Sequence, residues 1–188
     1  MPKARIFFIM QYVKHPQTGE VLLTEEKIQE ALDHRTIKDW AYVLHDKDLW
    51  NDEDELDDPN HPSGEEKPPH WHIAINMPKN ATEVDTVAKW FDIPSNFVEM
   101  KRGRGAFLDC VEYLTHESMK QQELGKYRYD DNEIKANFDF RAAINERNIS
   151  RSRFGTELTK KEQLRMQILN GEVTLNQVKK EYSLNYIQ

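Results

Sequence analysis

Cys110 is the chain's one cysteine, so no internal disulfide can staple the fold, and a reducing cytoplasm is the consistent setting. It falls in a helical pattern just before Tyr113, where a small thiol reads as a buried structural residue. Long apolar runs are missing too. With a mean hydropathy of -0.85 and 31% charged residues, nothing approaches the roughly 18 consecutive apolar residues of a membrane span. The short apolar run from Ile6 to Met10 lacks a small-residue cleavage site and does not read as an export signal. No internal repeat is present. These absences point to a cytoplasmic protein with no membrane partner, and 188 residues allow one domain of ordinary size with an appendage.

Positive charge is outnumbered, 26 Lys and Arg against 33 Asp and Glu, and a net charge of -7 argues against a nucleic-acid partner until it is located. Between Trp50 and Lys67 stand eight acids (Asp52, Glu53, Asp54, Glu55, Asp57, Asp58, Glu65 and Glu66) against the single base Lys67, and this segment accounts for the whole imbalance. Pro59, Pro62, Ser63 and Gly64 make it read as a mobile, solvated surface loop. Basic residues gather elsewhere. Lys101-Arg102-Gly103-Arg104-Gly105 precedes a helical pattern, and its glycines would let backbone come close to phosphate. Arg141, Arg147, Arg151 and Arg153 follow the main domain.

What the chain does have is His70-Trp71-His72. Pro68-Pro69 cannot continue a helix, and Ile73-Ala74-Ile75 is fit for a buried strand, so the pair projects from a sheet. Alternation along a strand sends both imidazoles to one face, where they form a metal clamp. An isolated His-X-His also occurs at sheet edges, so other residues must decide. Upstream, the apolar run Tyr42-Val43-Leu44 ends in His45-Asp46-Lys47-Asp48, a mixture of N and O ligands that suits Mn²⁺ or Mg²⁺. Alternation would put His45 and Lys47 on one face and Asp46 and Asp48 on the other, so either carboxylate needs a bend to meet His45. Downstream, Tyr113-Leu114-Thr115-His116-Glu117 offers a hydroxyl nucleophile, and helical spacing sets Tyr113, His116 and Glu117 on one face.

The order of elements follows from patterning. Arg5 to Val13 reads as a strand, Thr24 caps a helix running to about His34, and Asp39 to Leu44 and His70 to Asn76 are the next strands. Thr82 caps a second helix with Val84, Val87, Ala88 and Phe91 as its apolar stripe, stopped at Asp92-Ile93-Pro94. Phe97 to Met100 is a fourth strand, Gly105 to about Met119 a helix, and Lys126 to Tyr129 a fifth, edge strand. In that strand Tyr127 and Tyr129 read as packing residues. This β-α-β-β-α-β order followed by α-β predicts an α+β fold: a ferredoxin-like antiparallel sheet with helices packed on one face.

Taken in order, His45-Asp-Lys-Asp48, His70-Trp-His72 and Tyr113-Leu-Thr-His-Glu-Ser118 resemble the replication initiators of small rolling-circle plasmids from Gram-positive bacteria, which are HUH endonucleases. The resemblance runs from about Ala4 to Asn137-Phe138-Asp139. It implies a metal held by His45, Asp48, His70 and His72, with the ligand at the second aspartate of the motif, and Tyr113 as the nucleophile. It further implies a 5′-phosphotyrosine and a free 3′-hydroxyl, with strand rejoining to end replication. His116 and Glu117 are candidates for a base, and Lys47, Lys101, Arg102 and Arg104 for contacts to DNA. The expected partners are single-stranded DNA at an origin hairpin and the host helicase and polymerase. The expected domains are a nicking domain over 1–140, a basic linker over 141–157 and a helical segment over 158–188. That last segment reads as the start of an oligomerisation or helicase domain. A single-tyrosine transposase of the same superfamily, or a non-catalytic nucleic-acid-binding module with a structural metal, are the rival readings. A relaxase would place its tyrosine ahead of the histidines.

Overall fold

A computed structural model describes residues 2–33 and 37–151. The chain divides into two compact units, Met1–Ile144 and Asn145–Gln188; of the second, the described residues 145–151 are helical. The expected linker beyond 151, Arg153 and the helical segment over 158–188 lie outside the described residues, as does the expected helix end at His34.

In chain order the elements are β1 (Lys3–Ala4), β2 (Ile6–Tyr12), α1 (Glu25–Leu32), β3 (Asp39–His45), α2 (Asp52–Asp57), β4 (His70–Asn76), β5 (Thr82–Glu83), α3 (Val84–Phe91), β6 (Val98–Lys101), α4 (Ala106–Thr115), α5 (Met119–Glu123) and β7 (Lys135–Ala136). Five strands form one antiparallel sheet in the order β6-β2-β4-β3-β7. Its first four members are the strands of the split β-α-β-β-α-β unit, in the ferredoxin-like order. The fold is α+β, as the pattern predicts. β4 is central, and six of its seven residues are buried, which is why those six are apolar apart from the two histidines.

Helices cover both faces of the sheet, not one. On one side α1 and α3 press Ile28, Leu32, Val87 and Phe91 against Phe7, Ile9, Tyr42, Trp71, Ile73 and Ile75. On the other, α4 packs Phe107, Val111 and Leu114 over Ala41, Val43 and Ala74. The small side chains at 41 and 74 let α4 approach closely, and His45, His70 and His72 share their face by strand alternation.

Several local expectations need correction. Thr24 does cap α1, its Oγ1 accepting from the Lys27 N–H at 3.4 Å. Thr82, however, pairs with Ala4 in the small β1-β5 ribbon, and Glu83 occupies the α3 N-cap position; a β-branched residue here serves a strand and not a cap. Residues Lys126 to Tyr129 form no strand. The edge strand is β7, which pairs with Ala41 and Tyr42 of β3. The acidic segment is built, too. Asn51 and Asp54 close a capping box on α2, Leu49 bridges to Glu66, Trp50 stacks on His61 at 3.9 Å, and Lys67 pairs with Asp54 at 2.7 Å. Local pairing thus offsets part of its own charge repulsion.

Phe91 is fully buried between α3 and the sheet. Phe91→Ala should lower unfolding free energy by about 3–5 kcal/mol, read as a shift of the urea midpoint at constant slope.

Candidate active site

The β3-β4 register sets His45 opposite His70 and Val43 opposite His72, so three imidazoles meet on the α4 face. Their ring centroids lie 4.7 Å (His45–His72), 5.1 Å (His70–His72) and 5.6 Å (His45–His70) apart. After His45 the strand ends and the chain bends, as convergence requires. Asp46 and Lys47 turn outward and Asp48 turns in, its Oδ2 3.4 Å from His45 Nδ1 and 3.7 Å from His70 Nε2. All four side chains are buried.

Backbone carbonyls fix which ring nitrogens face one another. His45 Nε2 donates to the Leu114 carbonyl and His70 Nδ1 to the Pro68 carbonyl, each at 2.9 Å. A carbonyl only accepts, so in the neutral rings the protons sit on those atoms, leaving His45 Nδ1 and His70 Nε2 as bare lone pairs. His45 Nδ1, His72 Nδ1 and His116 Nε2 are buried with no hydrogen-bond partner. Unpaired buried polar atoms are costly, roughly 1–3 kcal/mol each. Lone pairs that converge with a carboxylate are what a divalent cation requires, and outer hydrogen bonds to carbonyls are the usual way its histidines are oriented. Two groups bring ligand atoms within 4.8 Å of one another: His45, His70 and His72, and His45, Asp48 and His116. This buried His/Asp cluster can hold a metal ion.

Electrostatics agree with that chemistry. Burial opposes the charge on Asp48, yet its contacts with His45, His116 and His70 outweigh burial and hold the carboxyl at about 2. Burial pushes His70 down, His72 well down and His116 to about 3, with neighbouring His45 adding to each shift. They are therefore neutral ligands at ordinary pH.

Tyr113 sits on α4, which starts at Gly105 in the left-handed region (φ 87°), a conformation open to glycine. Its ring meets Phe8 at 5.5 Å and His72 at 5.2 Å edge-on, and its hydroxyl accepts from Lys126 Nζ at 3.0 Å. The helix does not continue to Met119. It stops at Thr115, and His116 adopts φ 54°. Tyr113, His116 and Glu117 consequently do not share a helical face. His116 is fully buried, donating from Nδ1 to the Tyr127 carbonyl at 3.0 Å, with the same atom 3.6 Å from Asp48 Oδ1. Glu117 turns away into a two-point pair with Arg141 at 2.7 and 2.8 Å. Both of its oxygens accept from a single guanidinium nitrogen, and Arg141 also holds Asp131.

Pattern reading missed Tyr129 as a site residue. It is buried, stacks on His45 at 4.3 Å and 10°, donates its hydroxyl to Asp48 Oδ1 at 3.2 Å and accepts from the Lys47 N–H at 3.0 Å. Burial first, then the Asp48 charge, raises its pKa, so it stays a donor. Nothing in the local sequence marks it. Tyr127 is exposed beneath Lys47, whose ammonium pairs with Glu133 at 2.5 Å.

A groove of about 660 Å³ opens beside Tyr113 and His72, with Phe8, Asn96, Phe97 and Lys101 in its walls. Lys101 pairs with Glu99 at 2.5 Å, while Arg102, also on the groove, and Arg104 are exposed.

Comparison with known proteins decides the family. Residues 2–141 match the family described as plasmid replication protein, origin binding domain. The chain belongs to this family. It is also similar to the replication protein of Onion yellows phytoplasma (strain OY-M), at 30% identity over 169 residues. That match covers 89% of this chain and 41% of the relative, so the chain spans well under half of the relative's length. The match to the origin-binding family covers every residue of the cluster and Tyr113.

Two outcomes follow for this family member. Because His70, His72 and His116 are held neutral in the fold but protonate when unfolded, the unfolded chain binds more protons below about pH 6.5. Metal-free stability should therefore fall as pH drops from 6.5 toward 3, by up to about 1.4 kcal/mol per pH unit for each imidazole; denaturant midpoints across that range would read it. Tyr129→Phe should weaken Mn²⁺ affinity about 10- to 100-fold, measured by calorimetry.

Proposed function

We propose that the chain nicks single-stranded or extruded origin DNA by tyrosine transesterification, as the initiating domain of a rolling-circle plasmid initiator. The observation that carries this reading is one juxtaposition: a half-buried phenol in edge contact with His72, beside a buried cluster of bare imidazole lone pairs and an ionised carboxylate, at the rim of an open groove. Family membership supplies the origin as the DNA.

His45, Asp48, His70 and His72 would hold Mn²⁺ or Mg²⁺, with His116 alongside. When bound, such an ion supplies a Lewis acid for a non-bridging phosphate oxygen. The chain's own residues do the rest. Tyr113 attacks phosphorus, the bond to the 3′-oxygen breaks, and the products are a 5′-phosphotyrosine and a free 3′-hydroxyl. The covalent link keeps the phosphodiester energy, so a later 3′-hydroxyl can reverse the step and rejoin DNA. Phe8 and Phe97 give the groove apolar surface for an unstacked base, and Arg102 and Arg104 give it charge for phosphate. In the cytoplasm a host helicase would unwind the duplex and a host polymerase would extend the new end. We assign this activity to residues 1–140.

The test is incubation of the whole chain with single-stranded origin oligonucleotides and Mn²⁺, followed by denaturing gels and peptide mapping. The adduct should sit on Tyr113 through the 5′-phosphate. Chelator should abolish it, and Tyr113→Phe should bind DNA but leave it uncut. Cleavage that survives in chelator or in Tyr113→Phe would sink the proposal. DNA binding without any cleavage by the unaltered chain would favour a non-catalytic origin-binding module.

A further inference from the structure

Lys126 stands thirteen residues after Tyr113 and returns to it. Helix α5 carries the chain away and a turn at Gly125, in the left-handed region at φ 69°, brings it back. The turn is latched. The Lys126 N–H donates to the Gln121 carbonyl at 3.2 Å, and Gln122 Nε2 donates to the His116 carbonyl at 2.7 Å and more loosely to that of Lys126 at 3.4 Å. The same glutamine thus ties the lysine's turn to the end of the tyrosine's helix. The outcome is an ammonium 3.0 Å from the Tyr113 hydroxyl oxygen and 5.1 Å from the centre of its ring.

Lys126 keeps different company from three other lysines of the same unit. Lys47, Lys67 and Lys101 pair with Glu133, Asp54 and Glu99. Among the described residues no carboxylate lies within ion-pairing distance of Lys126, and its donor is directed at a neutral phenol. A phenol alone does not require an ammonium. A phenol that must carry negative charge while it attacks phosphorus does, because a fixed cationic donor at that oxygen stabilises the charge without reorganisation.

We propose that Lys126 is a catalytic residue of strand transfer, donating a hydrogen bond to the Tyr113 oxygen and aiming it at the phosphate. This rests on the nicking reading above. In the step, the Tyr113 O–P bond forms and the P–O3′ bond breaks. The phenol proton passes to solvent, and the departing 3′-oxygen takes a proton from solvent. Lys126 keeps its own proton throughout, so after reversal the same group again faces the free phenol.

The experiment regenerates the cation chemically. Lys126→Cys should slow single-turnover cleavage of a single-stranded origin oligonucleotide with Mn²⁺ by about 100-fold, with oligonucleotide affinity changed less than about threefold, a small part of what one phosphate contact contributes. Alkylation with 2-bromoethylamine rebuilds an ammonium at that position and should restore most of the rate, whereas the neutral adduct from iodoacetamide should not. Cys110 does not compete, because it is buried and burial pushes its thiol up to about 12. Undiminished cleavage by Lys126→Cys, equal rescue by both reagents, or a loss lying wholly in DNA affinity would each overturn the proposal. If the unaltered chain leaves the oligonucleotide uncut, the nicking reading fails and this inference with it. Cutting by the unaltered chain through Tyr113 with no Lys126 dependence defeats this inference alone.

Discussion

The pairing of β3 with β4 in one register is the constraint from which the site derives. His45 faces His70 across that pair, and alternation adds His72 two residues on. A slip of one residue would exchange the imidazoles for Trp71 and Ile73 and send them into the α1-α3 core. That slip is prevented from the other side of the sheet. Trp71 donates its indole N–H to the Leu23 carbonyl at 3.0 Å and packs with Tyr42 and Ile73. The apolar face thus fixes the register, and the histidine face inherits it.

A second constraint follows from burial. Three unpartnered imidazole nitrogens and an aspartate sit together where water is largely excluded, and the protein neutralises this tension through groups that are themselves immobile. Leu114 and Pro68 lend carbonyls, each from backbone already held in a helix or beside a proline. Tyr129 lends a hydroxyl to Asp48 while its ring covers His45. Each of these fixes a direction as well as satisfying an atom. Side chains oriented in this way would lose little conformational freedom on holding a cation, which favours affinity over adaptability.

Most of this was legible where a short period or a local motif carries the information. Alternation in His70 to Ile75 gave the strand and the shared face of two histidines. The apolar stripes of α1 and α3 gave their helices, and the order of elements gave the ferredoxin-like sheet. What escaped depends on contacts distant in sequence. Tyr129 touches His45 and Asp48 across more than eighty residues, and Lys126 reaches Tyr113 only through the Gly125 turn. The early end of α4 also escaped, since the enrichment of histidine at positive φ is too small to announce a stop at His116, where φ is 54°. Glu117 kept its helical spacing on paper but lost it at that stop, so Arg141 could claim it. The β7 edge is two residues long, too short for a pattern, whereas Tyr127 and Tyr129 alternate as a strand would without forming one.

The two faces of the sheet do different work, and their side chains show it. One is packed with Phe7, Ile9, Ile73, Ile75 and Phe91, large groups that supply hydrophobic stabilisation. The other uses Ala41 and Ala74 where α4 crosses, then becomes polar toward the strand ends at His45 and His70. Bringing α4 close through small residues reduces the apolar area that face can bury, yet it sets Tyr113 within ring contact of His72. A larger residue at 41 or 74 would add apolar area and push the helix outward, moving the phenol away from the histidines by the thickness of the added atoms. Stability is therefore concentrated on the face that carries no candidate chemistry, which leaves the opposite face free to hold buried polar atoms that would be hard to accommodate in a core asked to do both.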